Sequence, residues 1–237
     1  MEVKYKTIYQ TLKDQIFSGT YPTNARIPDE LSLCKEFDAS RMTVKKALDL
    51  LVQEGIIYRR QGQGTFVLPY EEQDNLINIQ ESKLEGFTRS SRFRGAAKKY
   101  SFDLEFADET VARALDIPVG DPVYHIERIR YYHDKPYVWE LTYMSPSQIP
   151  GVTDEVLNAS IYQHIEKTLG LRIHSSKRIL RAQPSTPKDQ ELLGLKPDEP
   201  VLEVEQIAYL DTGAPFEYSF SRHRYDRFKF SAFALRQ

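Results

Sequence analysis

A pattern of apolar residues occurs twice in the second half of the chain, and this repetition constrains the fold more than any other feature. Leu115, Ile117, Pro122, Val123 and Ile126 recur 78 residues later (115 to 193) as Leu193, Leu195, Pro200, Val201 and Val204. Each copy is preceded by a short helical pattern, at 108–115 and at 187–193. Each is followed by a strand, a turn and a second strand, with turns at 133–136 and 211–215. Two copies of helix, strand, hairpin and strand predict an antiparallel sheet with pseudo-twofold character and helices on one face. Between the copies, Ser160 is placed to cap a helix with Ile161, Ile165 and Leu169 on one side and Gly170 as its terminator.

The first 70 residues have a different texture. Tyr5, Ile8, Tyr9, Leu12 and Ile16 recur at helical spacing, and Gly19 follows where a helix should end. Asp29 can cap a short helix bearing Leu33, Cys34 and Phe37. Ser40 can cap a third, with Val44, Ala47, Leu48 and Leu51 as its apolar stripe and Gly55 at its end. Two short strands, 56–60 and 65–68, are joined by Gln61, Gly62, Gln63 and Gly64. Three helices and a glycine-tipped hairpin make the outline of a winged helix-turn-helix. Arg41, Met42, Lys45 and Lys46 occupy the first turns of the third helix, opposite its apolar stripe. In a helix-turn-helix those turns enter the major groove, where Arg41 can reach a guanine edge and Lys45 a guanine or a phosphate. Arg59, Arg60, Gln61 and Gly62 give the hairpin cations, an amide and room for close approach to DNA.

Charge follows the same division. The chain of 237 residues has a net charge of −2, but residues 1–70 carry ten Lys/Arg against eight Asp/Glu, and the remainder 22 against 26. A small basic head on an acidic body suits contact with nucleic acid at one end only.

Several segments of the head match a known family in order and spacing: Ile27 to Glu30, Ser40 to Leu48, Glu54 to Ile57, and Arg60 to Val67. They resemble the GntR family of bacterial transcription regulators. The resemblance implies that Arg41 and Thr43 contact DNA together with the wing pair Gln61 and Gly62. Lys45 stands where arginine is usual, keeping charge without the planar fork. Leu31 stands where the second helix usually carries an arginine, and Met42 replaces a small polar residue. Arg60 and Lys46 complete the expected DNA-binding set.

Residues 70–83 are polar, acidic and unpatterned, and read as a linker between a head of residues 1–69 and a second domain of residues 84–237. The fold class is thus α+β. From about Leu84 onward the order of elements is similar to the UTRA domain, the ligand-binding half of the HutC branch of these regulators, whose fold is similar to chorismate lyase. Its sharpest matches are Arg128 to Arg130, Ser160 to Tyr162, and Glu217 to Phe230.

One strand of this domain carries chemistry. Tyr124, Ile126, Arg128, Arg130 and Tyr132 share a face by period-two alternation, with the two arginines about 7 Å apart. Arginines facing a core need a carboxylate, a bound anion or water. Glu140 and Glu217 are candidate partners; a phosphate or carboxylate ligand held by the guanidinium forks is the other solution. The resemblance implies that Arg128, Arg130, Glu140, Ser160, Tyr162, Glu217 and Tyr225 line an effector pocket. It also puts Phe87, Thr88 and Arg89 in a phosphate-holding loop, although 88–99 departs from the usual pattern and is unusually basic. The stretch from Ser221 to Phe230 is similar to members controlling disaccharide or glucoside uptake, including trehalose-operon repressors. The implied effector is a phosphorylated sugar, the implied partner double-stranded operator DNA, and the implied assembly a homodimer joined through the second domain. A non-sugar anionic metabolite is the alternative effector, and a chorismate-lyase-like enzyme fused to a DNA-binding head the rival reading.

Other classes fit poorly. The single cysteine excludes a disulfide framework or a cysteine-rich zinc site. The five histidines show no metal-ligand spacing, and no paired acid and base or nucleophile is apparent, so neither enzyme activity, metal nor cofactor is expected. Arg222, Arg224, Arg227 and Lys229 interleave with Phe220, Phe228 and Phe230 and read as ion-paired strand faces rather than a second DNA site. The polar N-terminus and short apolar runs predict no signal peptide and no membrane span, and hence a cytoplasmic protein.

Overall fold

A computed structural model describes residues 4–69, 77–80, 97–132 and 134–231. The expected loop residues Phe87, Thr88 and Arg89 lie outside these, as does most of the expected linker. The chain divides into two compact units, Met1–Ser82 with Phe230–Gln237, and Lys83–Lys229.

In the first unit, α1 (Lys4–Phe17), α2 (Glu30–Glu36) and α3 (Arg41–Gln53) are followed by a hairpin of β1 (Ile57–Arg60) and β2 (Gly64–Val67). The helix starts are fixed by short polar side chains. Asp29 accepts from the Ser32 amide at 2.8 Å and Ser40 from the Thr43 amide at 3.2 Å, each satisfying an amide with no partner inside its helix. Ile8, Leu12 and Ile16 of α1 pack with Leu33 of α2, Val44, Ala47, Leu48 and Leu51 of α3, and Ile57 and Val67 of the hairpin. Tyr9 and Lys13 both bond Glu54, at 2.6 and 2.7 Å, and so tie α1 to the end of α3. Cys34 is half-buried against this core. A separate ribbon pairs β3 (Ile77–Gln80) with β10 (Phe228–Ser231).

The second unit contains β4 (Ala97–Phe106), α4 (Glu109–Leu115), β5 (Pro122–Tyr132), β6 (Lys135–Met144), α5 (Asp154–Asn158), α6 (Ile161–Gln163), β7 (Ile173–Pro184), α7 (Pro187–Leu193), β8 (Pro200–Leu210) and β9 (Pro215–Arg224). Its strands form one antiparallel sheet in the order β4-β5-β6-β9-β8-β7. The order is palindromic: β4, α4, β5 and β6 are repeated as β7, α7, β8 and β9, and the two copies meet where β6 pairs with β9. The repeated unit therefore begins one strand earlier than the sequence pattern indicated.

Helices cover both faces, not one. Val111, Ala112 and Leu115 of α4 pack with Val123 and Tyr218, and Leu192 and Leu193 of α7 with Ile129, Trp139 and Val201. On the other face Leu157 of α5, Ile161 of α6 and Ile165 of the following π-helical turn pack on Ile126, Met144, Ala208 and Phe216. The reason is local. Residues 145–172, inserted between the repeats, bring their own apolar stripe, and strand alternation gives the sheet a second apolar face that must also be covered.

Candidate nucleic-acid interface and anion site

The start of α3 is exposed and cationic. Arg41 lies on the surface with its Nε 3.1 Å from Glu30 Oε2, so the first residues of α2 and α3 are joined by an ion pair. Thr43 is partly spent on the cap, its hydroxyl 2.8 Å from Ser40 Oγ. Lys45 is exposed, and Lys46, also exposed, lies over the Tyr5 ring at 4.1 Å. On the wing, the Arg60 guanidinium sits 5.3 Å from each of the Tyr58 and Phe66 rings, which are themselves 5.7 Å apart. That stacking holds the cation beside Gln61 and Gly62, both exposed at the turn. Gly62 has φ +72, and nothing lies within 4 Å of where its Cβ would be. Glycine is needed there for the left-handed turn, and it leaves the tip open to a ligand's close approach. Arg59 is instead bound to Asp49 at 2.6 Å. Leu31 and Met42 are both exposed.

In the second unit, strand register places Arg128 opposite Glu140, and Glu140 opposite Ser221. Glu140 Oε2 accepts from Arg130 Nε at 2.9 Å and lies 3.3 Å from Arg128 Nη2. All three side chains are nearly buried, with 12% of Arg128, 7% of Arg130 and 6% of Glu140 exposed. Burial pulls the Arg128 pKa down, against the pull of Glu140. Its Nε is buried and has no hydrogen-bond partner among the described residues.

Glu217, expected as an arginine partner, takes its hydrogen bonds elsewhere. Its Oε1 accepts from Gln206 Nε2 and from Ser219 Oγ, both at 2.8 Å, and Gln206 Oε1 in turn accepts from Arg178 Nε at 2.7 Å. Burial raises the Glu217 carboxyl above the usual carboxylate range. From α6, Tyr162 brings its hydroxyl to Glu217, and burial followed by that carboxylate pushes its pKa well up. Ser160 is the α6 cap, accepting from the Gln163 amide at 3.3 Å. Tyr225 is exposed on the turn after β9 and donates to Glu199 at 3.3 Å, so none of these bonds joins it to the cluster.

Sequence reasoning passed over Gln206 and Arg178. The internal repeat could have found the first, since Gln206 lies 78 residues after Arg128 (128 to 206). Arg178 sits on β7, a strand the repeat pattern did not include.

The basic C-terminal stretch is internally neutralised. Arg222 bonds Asp189 and Glu203, and Arg224 bonds Asp226 and the carbonyls of Leu193 and Gly194. Among the described residues no group of His, Cys, Asp and Glu is placed to hold a metal, and no helix is long and apolar enough to cross a membrane.

A winged head with an exposed cationic recognition helix, carried in one chain with a duplicated sheet domain, defines a DNA-binding transcriptional regulator. The chain belongs to the gntR family of bacterial regulatory proteins, whose model matches residues 4–67, and residues 94–229 match the UTRA domain. It is 43% identical over 235 residues to the HTH-type transcriptional regulator GmuR of Bacillus subtilis, covering 99% of each chain. It is 30% identical over 233 residues to the mannosyl-D-glycerate transport/metabolism system repressor MngR of Escherichia coli, covering 98% of this chain and 96% of that one. The crystal structure of the possible transcriptional regulator YydK from B. subtilis superposes with a TM-score of 0.82 at 27% identity, over 99% of this chain and 100% of that one.

Proposed function

We propose that this protein represses a sugar uptake or catabolism operon and is released from its operator by a phosphorylated sugar. The observation that carries the effector class is Arg128. A guanidinium with a buried, unbonded Nε, next to a second arginine and a carboxylate already shared between them, is prepared for one more acceptor. A phosphate supplies that acceptor, while Glu140, Glu217 and Tyr162 suit sugar hydroxyls. The resemblance adds Ser160 and Tyr225 to the proposed pocket, and, outside the described residues, Phe87, Thr88 and Arg89. The mannosyl-D-glycerate transport/metabolism system repressor among its relatives supports repression of a sugar-related system. On the DNA side the contacts are Arg41, Thr43, Lys45, Lys46, Arg60, Gln61 and Gly62. A non-sugar anionic metabolite is the alternative occupant of the same arginines.

Residues 1–69 act as the head, 70–83 as the linker and 84–237 as the effector and dimerisation domain. Two heads on inverted half-sites require a homodimer. Leu104 and Phe106, exposed on the sheet's edge strand β4, support joining through the second domain. Sedimentation equilibrium at micromolar concentration should give a dimer; a monomer would overturn this part. Effector binding then shifts the population away from the state that fits both half-sites.

The test is fluorescence anisotropy on DNA from upstream of the protein's own and neighbouring genes, at one fixed salt concentration, with a panel of sugar phosphates. Tight binding reversed by one phosphorylated sugar is the expected result. Tight binding indifferent to the whole panel would overturn the effector class and leave the regulator.

A further inference from the structure

Among residues 4–69, large apolar side chains are buried or half-buried with two exceptions: Leu31 is 67% exposed and Met42 74% exposed. Scattered exposed apolar residues need no explanation on their own. These two are not scattered. Leu31 follows Glu30 and Met42 follows Arg41, and Glu30 and Arg41 form the 3.1 Å ion pair that joins the starts of α2 and α3. Both therefore sit at the end of the head that carries Arg41 and Lys45, among the polar side chains of Asp29, Glu30, Ser32 and Arg41.

Neither side chain can bond a phosphate or a base edge. The major groove offers one apolar group, the 5-methyl of thymine. A methionine suits it, being unbranched and able to fill an irregular gap. We infer that Met42, flanked by Leu31, packs on thymine 5-methyl groups in the operator and so specifies A·T pairs beside the pair read by Arg41. The inference rests on α3 being the element that enters the groove.

The test uses the full-length protein and an operator duplex selected by it from a random library, in which each thymidine is replaced in turn by deoxyuridine. At one or more positions the loss of the methyl should weaken binding about fourfold, the value of one buried methyl-sized group. Met42→Gln and Leu31→Gln, substitutions at exposed positions, should remove that preference and bind both duplexes alike. A wild-type protein that does not distinguish thymidine from deoxyuridine at any position overturns the inference, as does a preference that survives in both variants. Arg41→Ala on the same duplex separates the two layers. If it weakens binding while the deoxyuridine scan is flat, only the methyl contact is lost. If Arg41→Ala and Lys45→Ala both bind as tightly as wild type, α3 is not the reading element and both fall.

Discussion

Arg128 Nη2 stands 3.3 Å from Glu140 Oε2, the same carboxylate oxygen that accepts from Arg130. One carboxylate oxygen shared by two guanidiniums, with Glu217 acting on Arg128 only through space, leaves the Arg128 fork incompletely bonded in a nearly buried place, which is costly unless an acceptor arrives. Arg128→Ala removes the unbonded donor and leaves the Arg130–Glu140 bond in place, so the fold and operator affinity should be unchanged. The effector concentration needed for release should rise by at least about tenfold, the worth of one charged hydrogen bond. Arg128→Lys keeps the charge but not the fork and should fall between. Titration of effector against a preformed protein–DNA complex checks both; release at the wild-type concentration by Arg128→Ala would remove the arginine from the site.

Asp189 has the opposite character. It is fully buried on α7 and accepts from Trp139 Nε1 at 2.6 Å, from Arg222 Nε and Nη2 at 2.8 and 2.9 Å, and from the Thr186 amide and hydroxyl at 2.6 and 2.8 Å. Burial alone would push its carboxyl up; the bonds from Arg222, Thr186 and Trp139 outweigh that and hold it below the ordinary value. With every lone pair engaged, this is a clamp between α7 and the strands β6 and β9. Arg222 keeps Glu203, but removing Asp189 leaves the Trp139 indole and two Arg222 donors without their acceptor, so Asp189→Ala should cost about 1–3 kcal/mol in urea unfolding. A loss under about 1 kcal/mol would mean that the clamp contributes little beyond its area.

His223 gives the protein an acid-sensitive element. It is fully buried, stacked on Phe228 with centroids 3.8 Å apart, and burial followed by Arg130 pushes its pKa down to about 3. The folded state favours the neutral ring. Its contribution is therefore fully present above the unfolded value of about 6.5 and is lost as pH falls from there toward about 3. Below about pH 6, wild type should lose about 1.4 kcal/mol per pH unit relative to His223→Phe. Urea midpoints of both proteins at stepped pH measure the difference, and parallel curves would show that the ring takes up a proton without penalty.

Much of this was legible in the residues because it is local. The caps Asp29, Ser40 and Ser160 and the stripe Val44, Ala47, Leu48 and Leu51 act within a turn or two of chain, and the structure shows each in its expected place. Period-two alternation put Arg128 and Arg130 on one face, and the repeat put α4, β5, α7 and β8 in equivalent positions. What was not legible depends on strand neighbours far apart in sequence. Glu140 and Glu217 were equivalent candidates until register set Glu140 opposite Arg128 and brought Gln206 and Ser219 to Glu217. Likewise the helix capped by Ser160 was visible in the inserted segment, but not α5, nor that the two cover the face opposite α4 and α7.

On the DNA side, Arg41 and Lys45 should behave differently although both are exposed cations near the start of α3. Arg41 carries a planar fork that matches a guanine edge, and in the free head that fork is turned toward Glu30 at 3.1 Å. Docking must exchange the Glu30 bond for the base. Arg41→Ala should therefore cost about 1–3 kcal/mol in operator affinity and relax discrimination at one base pair, with little change in salt dependence. Lys45 is a point charge one helical turn on, suited to a phosphate. Lys45→Ala should weaken binding evenly across operator variants and reduce the slope of log affinity against log salt by about one. Anisotropy on single-base operator variants at several salt concentrations separates the two, because a base contact appears as a sequence effect and a phosphate contact as a salt effect. An Arg41→Ala protein that keeps full discrimination at every position would move base reading off this residue and onto its neighbours in α3 or the wing.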